Sequence, residues 1–89
     1  MTKIVCTPKL EEIGPLEPIR YTGSTVGAVL DAAGKDYPRL KNYILDDQGR
    51  VRKHIAIFIN GELRSRERVL EYAVGDVDEI CIMQALSGG

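Results

Sequence analysis

The run His54-Ile55-Ala56-Ile57-Phe58-Ile59-Asn60-Gly61 constrains this chain more than any other stretch. Successive side chains on a strand point to opposite faces of a sheet. Ile55, Ile57 and Ile59 therefore share one face, and Ala56 and Phe58, flanked by His54, share the other. Asn60-Gly61 marks a tight hairpin, because both residue types tolerate positive φ. Leu63 begins the return.

The rest of the chain can be read around that strand. Lys3-Ile4-Val5-Cys6-Thr7 is rich in β-branched residues and stops at Pro8, as an opening strand would. Residues 9–18 carry Gly14, Pro15 and Pro18 and read as a loop. Ile19-Arg20-Tyr21-Thr22 alternates, as expected of a second strand antiparallel to the first. A helix follows, capped by the hydroxyl of Ser24 or Thr25. Its apolar stripe is Val26, Val29, Leu30 and Ala33, at i, i+3, i+4 and i+7. Gly34 is the expected stop, and Pro38 forbids continuation much beyond it. Residues 37–51 read as irregular, with a turn at Asp46-Asp47-Gln48-Gly49. Leu70 and Val74 lie one helical turn apart before Gly75-Asp76, and Glu79 to Gln84 forms the last strand. Strand, strand, helix, strand, short elements, strand makes an α+β domain, with four or five strands and one main helix on one face. At 89 residues, one domain over 1–89 is expected, with a flexible tail at 85–89.

Alternation also divides the strands into faces. Ile80 and Ile82 oppose Cys81 and Met83, and the isoleucine sides, being bulkier and more continuous, should pack on the helix stripe. Ile4 and Cys6 are expected to join them. Val5, Ala56, Phe58, Cys81 and Met83 then lie on the side away from the only expected helix. One helix cannot cover both faces of a sheet, and an exposed apolar patch marks a protein–protein surface. The other reading is that residues 9–18 and 37–51 fold over it.

Composition excludes several functions. Twelve Lys and Arg against thirteen Asp and Glu give a formal charge of −1, so whole-domain binding to nucleic acid or an acidic membrane is not expected. The local basic runs Arg50, Arg52, Lys53 and Arg64, Arg66, Arg68 read as solvated faces. No apolar run approaches the ~20 residues of a membrane span, and no signal peptide is apparent. Cys6 and Cys81 lie far apart without CxxC partners, and His54 is the only histidine, so no metal site is expected. Two reduced strand cysteines suit a cytoplasmic protein.

Side-chain catalysis finds little support. GxSxG, HExxH and Walker motifs are absent, His54 reads as a surface histidine, and Asp76, Asp78 and Glu79 read as turn solvation. What remains is Ala85-Leu86-Ser87-Gly88-Gly89, directly after the last strand. Five extended residues reach about 17 Å. Glycines lack Cβ, so their backbone fits a narrow channel. The tail alone is equally consistent with a frayed terminus or a leftover linker.

The whole chain resembles the ubiquitin-like sulfur-carrier family, which includes the molybdopterin synthase small subunit and the carriers of thiamin and cysteine biosynthesis. The resemblance is carried, in order, by Ser24-Thr25-Val26-Gly27-Ala28-Val29-Leu30, Tyr37-Pro38-Arg39-Leu40 and Asp47-Gln48-Gly49-Arg50-Val51-Arg52. It continues in Ile57-Phe58-Ile59-Asn60-Gly61-Glu62, Gly75-Asp76 and Ile82-Met83-Gln84-Ala85-Leu86-Ser87-Gly88-Gly89. Two departures bear on docking: Val77-Asp78 lengthens the approach to the last strand, and Met83-Gln84 stands where many relatives carry proline.

The resemblance implies a β-grasp fold, a mixed sheet of four or five strands whose opening and closing strands are neighbours. It also implies that this chain is a carrier, not an enzyme. Its working group would be the Gly89 carboxylate on Gly88, adenylated by an E1-like adenylating enzyme that uses ATP and magnesium; the carrier itself binds no cofactor. A sulfurtransferase or sulfide source would convert it to a thiocarboxylate, and a sulfur-accepting synthase would receive the sulfur. Leu86 and Ser87 would accompany the tail into its partners, with Val5, Ala56, Phe58, Cys81 and Met83 as the docking face. Within the family, Asp47–Arg52 looks more like the cysteine-biosynthesis and molybdopterin types. A lysine-conjugated protein modifier and a β-grasp binding module with an idle tail are the alternatives.

Overall fold

The structure is a computed structural model that describes residues 1–6 and 18–84, the side chain of Cys6 excepted. Most of the 9–18 loop and the whole of the 85–89 tail, with Leu86, Ser87, Gly88 and Gly89, lie outside the described residues. Strand β1 spans Thr2–Cys6 and β2 spans Ile19–Tyr21. They pair antiparallel, with Ile4 opposite Ile19. The other strands are β3 (Ile55–Ile59), β4 (Glu62–Leu63) and β5 (Glu79–Gln84). The sheet order is β2-β1-β5-β3-β4, and β1 and β5 run parallel at its centre. A parallel pair needs a crossover, and here all the intervening elements supply it.

Helix α1 spans Val26–Asp36, and Thr25 is its cap: the hydroxyl accepts the Ala28 N–H at 3.2 Å. Val26, Val29, Leu30 and Ala33 are buried, as the stripe predicts. The helix does not stop at Gly34. A Cβ there would lie 2.5 Å from Cδ of Lys41, so this glycine serves a close approach between helices instead of a terminus. The segment 37–51 is also more regular than its sequence suggests. A second helix, α2, spans Pro38–Ile44 with Pro38 in its first turn. Proline is disfavoured inside a helix but suits its start, where the missing N–H has no partner to lose. Pro38 therefore separates two helices and opens the second.

Leu40 and Ile44 of α2, with Val51, enter the same core as the α1 stripe, Ile4, Ile55, Ile57, Ile59, Ile80 and Ile82. Each such side chain, fully buried, stabilises the fold by about 1.5–3 kcal/mol relative to exposure. Val69, in the short 3₁₀ turn Val69–Glu71, closes the core, and Leu70 and Val74 pack against it. The Asn60-Gly61 hairpin has φ of 52° and 85°, both in the left-handed region. Asn60 also ties the hairpin to β5: Oδ1 accepts the Glu79 N–H at 2.9 Å, and Nδ2 donates to Asp78 at 2.8 Å.

Candidate functional site

The inner face takes every isoleucine of β3 and β5. The outer face takes the residues assigned to it by alternation. Register places Val5 of β1 beside Cys81 of β5, and Cys81 opposite Phe58 of β3. Phe58 in turn pairs with Leu63 of β4. Val5, Cys81, Phe58 and Leu63 thus form one row across four strands, with Ala56 and Met83 paired alongside. Val5, Ala56, Phe58 and Cys81 are half-buried, while Met83 and Leu63 are 37% and 63% exposed. Leu63 was missed as part of this face. Its only signal was position: three residues after a two-residue hairpin begins, a side chain falls opposite Phe58.

No described element covers the row. The segment 37–51, one of two proposed covers, lies on the helix side: Leu40, Ile44 and Val51 are buried with the α1 stripe. One end of the face is charged, where Lys3 of β1 meets Glu79 of β5 at 3.6 Å. Cys6 pairs with Ile82 in register. Its expected place on the helix side concerns a side chain outside the described set.

The Cys81 thiol is pushed above the ordinary cysteine range, mainly by burial and further by the charge of Glu79. A protonated thiol is a poor nucleophile. Asp78 is held below the usual carboxylate range by the Asn60 amide and then by the Gly75 N–H, which it accepts at 2.8 Å. It is a turn residue, as the sequence suggested. His54 sits edge-on to Tyr43, with ring centroids 5.1 Å apart. Among the described residues no group of three or more His, Cys, Asp or Glu is placed to hold a metal ion, and no helix is long and apolar enough to cross a membrane.

The chemistry expected of Gly88 and Gly89 lies beyond the described residues, so the geometry here concerns the surface that would present them. β5 ends at Gln84, and its outer-face residues Cys81 and Met83 lead along the strand toward residue 85.

The family model of the ThiS family matches residues 12–89. No curated protein sequence shows a significant match. Among solved structures, the small archaeal modifier protein 1 from Methanosarcina acetivorans is 30% identical with a TM-score of 0.82, the match covering 99% of this chain and 95% of that one. SAMP1 from Haloferax volcanii is 27% identical with a TM-score of 0.76, over 99% and 98% of the two chains. Mycobacterium tuberculosis CysO, at 21% identity, matches with a TM-score of 0.84 over 97% of this chain and 100% of that one. These likenesses and the five-stranded mixed sheet establish the expected β-grasp fold.

Proposed function

The chain belongs to the ThiS family, and from that membership we propose that it carries sulfur as a thiocarboxylate on Gly89. The observation that carries this reading is that the family match runs through Gly88 and Gly89. The chemistry follows from the acid itself. A free α-carboxylate has a pKa of about 3.5, so at neutral pH it is ionised and a poor electrophile. In an E1-like adenylating enzyme, a carboxylate oxygen of Gly89 attacks the α-phosphorus of ATP and pyrophosphate leaves. Hydrosulfide then attacks the acyl carbon, AMP departs with the C–O bonding electrons, and one proton passes to solvent. The thiocarboxylate sulfur goes next to a sulfur-accepting synthase. ATP and magnesium belong to the activating partner. The carrier supplies the tail and the outer sheet face, with Val5, Ala56, Phe58, Cys81 and Met83 in contact and Leu86 and Ser87 following the tail.

Intact-mass measurement of the protein from its native host tests this. The expected species is heavier by one sulfur-for-oxygen exchange and is lost in a Gly89 deletion. An unmodified chain from cells making the activating enzyme would overturn it.

A second reading draws support from the 30% identity to a protein named as a modifier. The same adenylate, captured by a lysine amine, gives an isopeptide bond. Conjugates of higher mass in the same cells, absent when Gly89 is deleted, would identify it.

A further inference from the structure

Two basic runs approach each other in the fold, the second through Arg66 alone. Arg50, Arg52 and Lys53, with His54, line one side of an open groove of about 610 Å³, and Arg66 with Glu67 lines the other. Arg66 Nη1 donates to the Val51 carbonyl at 3.3 Å and so ties the two segments together.

The groove also contains carboxylates, and their bonding decides what it can bind. Asp46 Oδ1 accepts the backbone N–H groups of Gln48 and Arg50 at 2.9 and 3.0 Å, and Glu67 accepts the Ser65 hydroxyl at 2.8 Å. Both are therefore engaged by their own turns. Their approaches to the cations are long: 3.6 Å from Asp46 to Arg50 and 3.7 Å from Glu67 to Arg66. Charge-assisted N–H···O bonds are about 2.7–2.9 Å. The Arg50 side chain is 72% exposed, and Lys53 has no ion-pair partner among the described residues. Arg50 and Lys53 therefore keep donors free, whereas Arg52 Nε donates to the Asn42 carbonyl at 3.1 Å and Arg66 Nη1 is held by the Val51 carbonyl.

The groove shares Val51, Lys53 and Arg66 with a second depression at the sheet edge, lined by Ile55, Ile57 and Val69 of the core margin and by Ala56 and Leu63. Those two residues belong to the apolar outer face. A basic groove thus adjoins an apolar surface. We propose that it receives an acidic segment, with interspersed apolar residues, of the protein that docks on the sheet face. A peptide fits better than a nucleic acid. No Phe, Tyr or Trp lines the groove for base stacking, and the adjoining depression offers Ala56 and Leu63 to apolar side chains, which a nucleic acid does not have.

This inference rests on the carrier reading only in taking the segment to belong to the docking enzyme. Its test needs neither that enzyme nor Gly89. A synthetic glutamate-rich peptide with interspersed leucines is titrated into isotope-labelled protein and followed by NMR, with a single-stranded DNA oligonucleotide as the second arm. The peptide is expected to shift the amide signals of Val51, Lys53, His54 and Arg66 and to bind more weakly as salt rises. Arg50→Glu with Lys53→Glu should weaken it about tenfold or more. Arg50→Gln with Lys53→Gln, which adds no repulsion around Asp46, should weaken it less while keeping the spectrum elsewhere. Absence of binding, shifts outside the groove, unchanged affinity in both folded variants, or tighter binding of the oligonucleotide would each overturn the proposal. Thiocarboxylate formation without peptide binding would overturn the groove and leave the carrier reading standing.

Discussion

Phe58 and Cys81 face each other across the β3–β5 pair, one register step from Ile57 and Ile82, which face each other on the opposite side of the same sheet. Ile57 and Ile82 are 2% and 0% exposed, while Phe58 and Cys81 are half-buried. One step along a strand therefore separates a core position from a half-buried one on the outer face.

Replacing either aromatic or aliphatic partner with a charge should separate the two roles. Ile57→Asp places a carboxylate in the core, where burying an unpaired charge is prohibitive, and the domain should not fold. Phe58→Asp should fold, with a modestly lower Tm, and should lose affinity for its activating enzyme. Thermal melts and binding measurements on both variants check this. Equal unfolding of the two would show that Phe58 is core.

Removing Gly89 should leave Tm unchanged and abolish activation. Among the described residues the buried core ends with Ile82, and β5 ends at Gln84. A deletion variant that melts earlier, or that still consumes ATP with the activating enzyme, would contradict the assignment of the chemistry to the tail.

Asn60 has two separable roles. Its φ of 52° is one that a residue with a Cβ adopts at a cost of about 1–2 kcal/mol, which glycine escapes. Its amide also bridges Asp78 and the Glu79 N–H. Asn60→Ala should therefore be less stable than Asn60→Gly by about 1 kcal/mol, with both below the parent. The pH dependence adds a check. Asp78 has a depressed folded pKa, so its contribution is present above the unfolded value of about 3.9 and is lost as pH falls through the folded one. Both variants lose the largest cause of that depression, so their stability should fall less steeply on acidification. Denaturant melts across that range measure it.

Cys81 should react slowly. Its pKa is raised, so at pH 8 less of it is thiolate than in a free cysteine, and the midpoint of its alkylation rate should lie at higher pH. Unfolding in denaturant should remove the difference. Cys6→Ala with Cys81→Ser should still form a thiocarboxylate at Gly89 with the activating enzyme and sulfide. Loss of conversion in the folded double variant would move the chemistry to a side chain.

What could be read from the chain alone was local. Strict alternation assigned Ile55, Ile57 and Ile59 to the core and Ala56 and Phe58 to the other face, because a period of two needs no knowledge of the partner strand. The stripe from Val26 to Ala33, a hydroxyl cap from Ser24 or Thr25 and Asn60-Gly61 were legible for the same reason: each acts within a few residues, though only the structure selects Thr25. The neighbouring of β1 and β5 came from family resemblance, not from periodicity. Gly34 is not the stop expected of it, and Pro38, which does bar the first helix from continuing, also opens α2 in a segment expected to be irregular; only the packing of α2 on α1 selects between such local meanings. The entry of Leu63 into the Phe58 row, and the meeting of Arg50 and Lys53 with Arg66 in one groove, were decided by tertiary structure. Such contacts join segments whose local preferences say nothing about each other, and they form only once the shared core of Val51, Ile55 and Val69 has fixed where each segment lies.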